Sequence, residues 1–161
     1  MRKHYEGKVI QHSAARANAP KSKQTATPSK YPQGHFKDKK CRVCGKVFKP
    51  SAPSELTCSD YCRMYLTTEA YYKRTYGITV QEYLDIAESQ NFKCKLCGND
   101  NFKMAEYHSG VLVVDHCHKT GQVRGLLCHN CNRALGLFDD NADTLRNAIS
   151  YLERATTIRK E

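Results

Sequence analysis

A short stretch of the chain, DHCHKTGQVRGLLCHNCN at residues 115–132, holds the side chains best suited to chemistry. Asp115 and Asn132 offer oxygen ligands of the kind that Mg²⁺ and Mn²⁺ prefer. A neutral imidazole beside such a cation, such as that of His116, can accept a proton from an attacking water. With His118 close by in the sequence, these groups predict a centre for phosphodiester hydrolysis. The alternative is that the Asp-His pair has no function and that His118 only caps the turn or faces solvent.

The cysteines alone are enough to bind zinc, so Asp115, Asn132 and the histidines are not needed as zinc ligands. Eight of the nine cysteines form two groups of four, at spacings typical of structural zinc sites. The first group is Cys41, Cys44, Cys58 and Cys62, and the second is Cys94, Cys97, Cys128 and Cys131. Four thiolates complete a closed zinc site, so neither group needs a histidine or an aspartate. The odd cysteine count argues against a complete disulfide framework and fits a reducing compartment.

A β-hairpin and a helix are predicted to bring Asp115 and Asn132 together. The run VLVVD at 111–115 predicts a buried strand, and QVRGLLC at 122–128 predicts a second strand after the turn HKTG. HNCNRALG then predicts a helix that ends near Gly136. Because the hairpin and the zinc return this helix towards the first strand, an aspartate oxygen and an amide oxygen should face each other across a small gap.

Helices are predicted on both sides of the hairpin. Thr79 and Glu82 have the spacing of a capping box, and Gly77 separates their helix from an upstream helix within residues 63–90. The last helix has an apolar face and three candidate N-caps. The apolar positions are Leu145, Ala148, Ile149 and Leu152, and the candidate caps are Asp140, Asn141 and Asp143.

The charge of the chain indicates a polyanionic partner. The 161 residues carry a net charge of +10, which points most often to nucleic acid, although it also serves solubility. No apolar run approaches the roughly 20 residues that span a bilayer. No apolar segment of a signal peptide follows the basic N-terminus. We therefore expect an intracellular protein, neither membrane-bound nor secreted.

Three segments are expected along the chain. Residues 1–38 predict a flexible basic arm, since residues 1–40 hold ten Lys or Arg, two acids and no apolar period. The arm either lies on phosphates or only solubilises the protein. Residues 39–66 predict a small zinc ribbon or treble clef that needs its metal to fold, and that either binds DNA or is purely structural. Residues 67–161 form the remaining domain.

The second half of the chain resembles a known family. CKLCG and VLVVDHCHKTGQVRGLLCHNCNRALG are similar to motifs of the phage recombination endonuclease VII family, a branch of the HNH (ββα-metal) nucleases. The resemblance covers about residues 76–155. It implies an α+β fold: a zinc-stapled, treble-clef-like ββα-metal nuclease domain with flanking helices. A small zinc ribbon and a disordered basic arm would precede it here.

The resemblance also implies roles for single residues. Asp115 would bind the catalytic Mg²⁺ or Mn²⁺, and Asn132 would complete that site or orient the loop that carries the histidine. His116 would be the general base, and His118 would contact the scissile phosphate or support the site. Members cut DNA, and the type after which the family is named resolves branched DNA as a homodimer. A phage-encoded member would act in the host cytoplasm.

Two basic residues flank this site. Lys119 and Arg124 are expected to hold DNA phosphates by their charge and, for arginine, by its two-pronged geometry. The alternative for Arg124 is a salt bridge that fixes the hairpin. Leu135 stands where the junction resolvase carries an acidic residue, so the preference for branched DNA stays open.

The sequence thus predicts a metal-dependent DNA endonuclease with two structural zinc ions and one catalytic Mg²⁺ or Mn²⁺. Two alternatives remain. One is a zinc-dependent DNA-binding protein without catalysis, in which the Asp-His pair is structural. The other is a site-specific, homing-type HNH nuclease whose arm and zinc ribbon choose the target.

Overall fold

The fold combines five helices with two small antiparallel sheets in the part of the chain that the structure describes, residues 2–17, 31, 35–99 and 111–157. The structure is a computed structural model. The helices are α1 (Arg2–Ala17), α2 (Asp60–Tyr76), α3 (Val80–Ser89), α4 (His129–Leu137) and α5 (Ala142–Thr157). The strands are β1 (Lys39–Lys40), β2 (Val47–Phe48), β3 (Val113–His116) and β4 (Val123–Leu127).

Local sequence signals set the limits of α2 and α3. The Ser59 side chain accepts from the backbone N–H of Cys62 at the start of α2, and α2 ends at Gly77 in the left-handed conformation (φ 71°). Thr79 and Glu82 form the predicted capping box at the start of α3. The two predicted helices and the break between them are therefore confirmed. Since α2 is continuous from Asp60 to Tyr76, the predicted boundary between residues 66 and 67 falls inside a helix.

The expectation of a flexible arm is wrong for residues 2–17, which form α1 and pack on α2 and α3. Tyr5, Val9 and Ile10 are buried, so this segment does contribute to a core. Arg2 also forms ion pairs with Asp85 and Glu88 of α3. Three apolar side chains on one side of a helix offset the ordering entropy that a wholly polar segment could not. Residues 18–30 and 32–34 of the predicted arm lie outside the described residues.

Two tyrosine hydroxyls hold α1, α3 and the approach to β3 together. The Tyr83 hydroxyl donates to the carbonyl of Leu112 at 2.7 Å, and the Leu112 N–H donates to the Tyr5 hydroxyl at 2.9 Å. The two hydroxyls lie 3.1 Å apart, so Tyr5 donates to Tyr83. This network satisfies the buried backbone groups of Leu112.

The hairpin and its helix follow in the predicted order. β3 pairs antiparallel with β4, and α4 begins directly after β4. Asn141 is the cap of α5, because its side-chain oxygen accepts from the N–H groups of Asp143 at 2.8 Å and Thr144 at 3.1 Å. Among the described residues, no helix is long and apolar enough to cross a membrane.

Candidate active site and zinc centres

The structure gathers both predicted sets of cysteines. Within each set, the four sulfur atoms lie within 4.8 Å of one another. Adjacent sulfurs are as close as 3.4 Å between Cys44 and Cys58, and 3.9 Å between Cys97 and Cys128. Four sulfurs at Zn–S distances of about 2.3 Å in a tetrahedron stand roughly 3.8 Å apart. Both tetrads therefore fit a structural zinc ion, and no disulfide is formed.

Backbone N–H groups prepare one thiol in each tetrad for metal binding. The backbone N–H of Cys44, with smaller contributions from other groups, lowers the pKa of the Cys41 thiol to about 6. Burial raises the pKa of Cys94, but backbone N–H groups, chiefly those of Cys97 and Cys128, outweigh it and lower that pKa to about 7. The thiolate is the form of cysteine that binds metal. The lowered pKa values of Cys41 and Cys94 therefore favour metal binding by the first cysteine of each tetrad.

A bulge in the hairpin sets the position of Asp115 and Arg124. Asp115 pairs with Gly125 and His116 pairs with Val123, so Arg124 is an extra residue in β4. Gly125 has φ 152°, and a β-carbon there would lie 2.7 Å from the side chain of Lys95. Bulges re-aim side chains beside functional sites, and this one places the guanidinium of Arg124 against Asp115.

Arg124 forms a two-pronged ion pair with Asp115. Its Nε donates to Oδ2 of Asp115 at 2.8 Å, and its Nη2 donates to Oδ1 at 2.6 Å. Nη2 also donates to Oδ1 of Asp140 at 3.1 Å. The hydrogen bond to Asp115 is the main reason that the pKa of Arg124 is raised. The structure shows the ion pair that was one interpretation of Arg124 from the sequence, and the contact with a DNA phosphate stays a prediction.

A cleft of about 320 Å³ brings several predicted residues together. Its lining includes Asp115, His118, Arg124 and Asn132, together with Asp140. Asn132 lies in the first turn of α4, one residue after Cys131, and its N–H donates to the carbonyl of Cys128 at 3.0 Å. Asn132 and Cys131 of the second tetrad thus share the first turn of α4, and Asn132 lines the same cleft as the strand carboxylate of Asp115.

His116 lies beside this cleft and is not part of its lining. Its ring centroid is 5.1 Å from that of His118 and 5.5 Å from that of Tyr76. His118 is the closer imidazole to the carboxylates, with Nδ1 at 3.8 Å from Oδ2 of Asp140. The two histidines are thus neighbours, with His118 in the lining of the cleft and His116 beside it.

Lys119 lies outside the cleft, whereas Asp140 lies inside it, a position that the sequence did not predict. Lys119 is exposed in the turn between β3 and β4 and does not line the cleft. Asp140 was expected only as a candidate helix cap, but Asn141 is the cap and Asp140 lies in the cleft. Its place follows from a left-handed turn at Asp139 (φ 52°) and Asp140 (φ 53°). Two adjacent acids after a helix favour such a turn, but they do not tell which side chain faces inward.

Residues 69–154 match the family described as recombination endonuclease VII. The match covers more than half of the 161 residues and contains the whole cleft and the second tetrad. This chain belongs to the recombination endonuclease VII family. The resemblance in the motifs is thereby confirmed. The family region excludes α1 and the first tetrad, although α1 packs on the same core.

Two curated relatives come from mycobacterial phages. The gene 59 protein of Mycobacterium phage D29 is 44% identical over 86 residues, which cover 53% of this chain and 49% of that protein. The gene 59 protein of Mycobacterium phage L5 is 47% identical over 79 residues, which cover 48% of this chain and 45% of that protein. The chain thus spans about half the length of the curated relatives it matches. No solved structure matches it.

Proposed function

We propose that this member of the recombination endonuclease VII family is a DNA endonuclease of the HNH (ββα-metal) type that needs a divalent cation. The observation that carries the proposal is the cleft itself. Asp115 and Asn132 line it together, although 16 residues separate them along the chain. A guanidinium already sits against the Asp115 carboxylate, which supports the view that the site favours positive charge. The oxygen donors suit Mg²⁺ or Mn²⁺.

Each residue of the proposed site would have a separate role in phosphodiester hydrolysis. Asp115 and Asn132 would hold the cation, which supplies charge stabilisation at the phosphate and at the leaving oxygen. His116 would accept the proton of the attacking water on a ring nitrogen. His118, next to it, would contact the scissile phosphate. The four thiolates of each tetrad would hold zinc as a structural ion, and the second tetrad would keep Asn132 in place.

DNA is the proposed partner, in keeping with the family and with the net charge of +10. Lys119, exposed beside the cleft, would hold a backbone phosphate. Branched DNA of the kind formed in recombination is the proposed substrate class. A gel with junction, flap, nicked and plain duplex substrates of equal length tests it, since preferential cutting of the junction supports it and equal cutting rejects it.

A homodimer is also proposed, and α5 supports it. Ile149, Tyr151 and Leu152 of α5 expose 56%, 74% and 65% of their surface, and Leu137 at the end of α4 exposes 74%. A second copy would cover these apolar side chains. Light scattering during gel filtration should give twice the chain mass, and Leu152→Lys should return the mass of one chain.

Plasmid nicking tests the catalytic proposal. Supercoiled plasmid with the zinc-loaded protein and Mg²⁺ or Mn²⁺ should be nicked, and EDTA should stop the reaction. His116→Ala should slow nicking by about 10²- to 10⁴-fold, because it removes the general base. His35→Ala is the matched control, since His35 is exposed and lies outside the family region.

The same assay separates the alternatives. An intact plasmid with a clear mobility shift would favour the zinc-dependent DNA-binding protein without catalysis. Discrete, reproducible fragments from long linear DNA would favour the site-specific, homing-type nuclease. Equal nicking by His116→Ala and the unchanged protein would reject His116 as the base.

A further inference from the structure

We propose that Asp140 is a positioning residue that shares Arg124 with Asp115 and so keeps Asp115 available to the divalent cation. This role rests on the proposed function, because it assumes a cation at Asp115. Asp140 lies outside both cysteine tetrads and comes from the turn between α4 and α5. Its carboxylate nevertheless reaches the same cleft as Asp115 and Asn132.

Asp140 is held in place by its backbone and by the turn that carries it. Its side chain is 19% exposed, and its backbone N–H donates to the carbonyl of Leu135 at 3.0 Å. Asp139 and Asp140 are both in the left-handed region, which few residues other than glycine adopt. Since Asn141 caps α5, the Asp140 carboxylate is not needed for that purpose. The Asp140 side chain instead contacts Arg124 and His118.

Arg124 and a divalent cation would compete for Asp115. Arg124 occupies both carboxylate oxygens of Asp115, at 2.8 and 2.6 Å, so a cation that binds Asp115 must compete with the guanidinium. The same Nη2 atom also donates to Asp140 at 3.1 Å. Asp140 thus offers Arg124 a second anchor when Asp115 turns to the cation. Without this anchor the guanidinium would pair with Asp115 alone.

Two acids and two arginines line the cleft. The charges of Asp115 and Asp140 are balanced by those of Arg124 and Arg133, so a bound divalent cation would make the cleft positive. A guanidinium kept near Asp140 stays inside the cleft, close to the place where a phosphodiester would bind. Asp140 also stands 3.8 Å from Nδ1 of His118, an ion-pair distance rather than a hydrogen bond. The residue therefore acts through Arg124 and His118 and not as a ligand.

The test is a double-mutant cycle on Mn²⁺ binding to the full, zinc-loaded chain without DNA, followed by the electron paramagnetic resonance of free Mn²⁺. Asp140→Asn should weaken Mn²⁺ binding by about 10-fold, as loss of a supporting residue around a metal site does. In the background of Arg124→Gln, the competitor is gone. The same Asp140→Asn change should then alter affinity by less than about threefold.

Asp139→Asn is the matched control, because it removes the same charge from the same left-handed turn while its side chain is exposed. It should leave both Mn²⁺ affinity and cleavage unchanged. Thermal unfolding midpoints of all variants show whether they fold. If Arg124→Gln does not fold, Arg124→Lys replaces it, since an ammonium cannot reproduce the two-pronged pair.

Each of the following results would overturn the role of Asp140. An equal loss of Mn²⁺ affinity in both backgrounds would make Asp140 a direct ligand. No loss in either would make it purely structural. If the unchanged protein does not bind Mn²⁺, the proposed function is rejected as well. If Mn²⁺ binding is lost in Asp115→Asn but not in Asp140→Asn, the proposed function stands and only the role of Asp140 is rejected.

Discussion

The two cysteine tetrads have the same ligands but different neighbours. In the first, the residue after the fourth cysteine is Arg63, which pairs with Asp60 at 2.7 Å on the surface of α2. In the second, the residue after the fourth cysteine is Asn132, which faces a cleft with a strand carboxylate. The cysteines alone therefore do not distinguish a scaffold from an active site. The difference lies in the residue that follows the fourth cysteine and in the strand beside each tetrad.

The strands beside the tetrads differ in the same way. β2 carries Val47 and Phe48, without an acid or a histidine, whereas β3 ends in Asp115 and His116. Exposed cations surround the first tetrad instead: Lys40, Arg42, Lys46 and Lys49. The cations around the first tetrad would suit phosphates, whereas the second tetrad adjoins the proposed hydrolytic centre. Three experiments address this comparison.

The largest expected effect comes from breaking each tetrad at its exposed second cysteine. Cys97→Ser should reduce single-turnover cleavage by about 100-fold or more, because the helix turn that carries Asn132 loses its anchor. Cys44→Ser should leave the rate at saturating DNA within about threefold, because its tetrad adds no group to the cleft. Zinc release measured with a chelating dye confirms that each variant has lost one ion. An equal loss of cleavage in both variants would refute the division of roles.

A smaller effect is expected from the cations around the first tetrad. Replacement of Lys40, Arg42, Lys46 and Lys49 by glutamine should weaken DNA binding and flatten its dependence on salt. The slope of log K against log salt changes by about 0.9 for each phosphate contact that is lost. The control is a variant with the same change in net charge on exposed residues of α1 and α5: Lys3, Lys8, Arg146 and Arg154, each replaced by glutamine.

The result is informative in either direction. A change of slope in the first variant but not in the control supports phosphate contacts around the first tetrad, and equal slopes reject them. Deletion of residues 1–38 is unsuitable for this purpose. It would remove Tyr5, Val9 and Ile10 of α1 from the interior, so a loss of binding would report unfolding rather than a lost contact.

Features set by neighbouring residues could be predicted from the sequence. The capping box at Thr79, the left-handed stop at Gly77 and the hairpin after Asp115 all depend on residues a few positions apart. The grouping of the cysteines follows from spacing alone, and the structure brings both groups together. Local signals of this kind act before the chain packs, so they remain visible in the sequence.

Features set by tertiary packing could not be predicted. Tyr5, Val9 and Ile10 are three apolar residues in a segment dominated by charge, and only the surfaces of α2 and α3 make their burial favourable. Asp140 is another case, because its neighbours Asp139 and Asn141 are equally polar. The geometry of the turn determines which side chain enters the cleft, and the spacing of the residues in the sequence does not predict it.

The smallest effect concerns α1, which contacts the regions of both tetrads through adjacent residues. Tyr5 meets Leu112 just before β3, and Glu6 accepts from the hydroxyl of Tyr61, between Cys58 and Cys62, at 3.0 Å. Tyr5→Phe should lower the free energy of unfolding by about 1–3 kcal/mol, because the buried N–H of Leu112 loses its acceptor. Tyr61→Phe should cost only roughly 0.5 kcal/mol, because water can replace an exposed hydroxyl.

Urea denaturation of the zinc-loaded protein measures both changes. The two variants lose the same atom from contacts of the same helix, so their difference reports burial rather than chemistry. Tyr5→Phe should also slow cleavage slightly, since Leu112 leads directly into the strand that ends at Asp115 and His116. Equal costs for the two variants would mean that α1 contributes no more to the catalytic region than to the first tetrad. The active site would then depend on the family region alone, and α1 would be a peripheral addition to it.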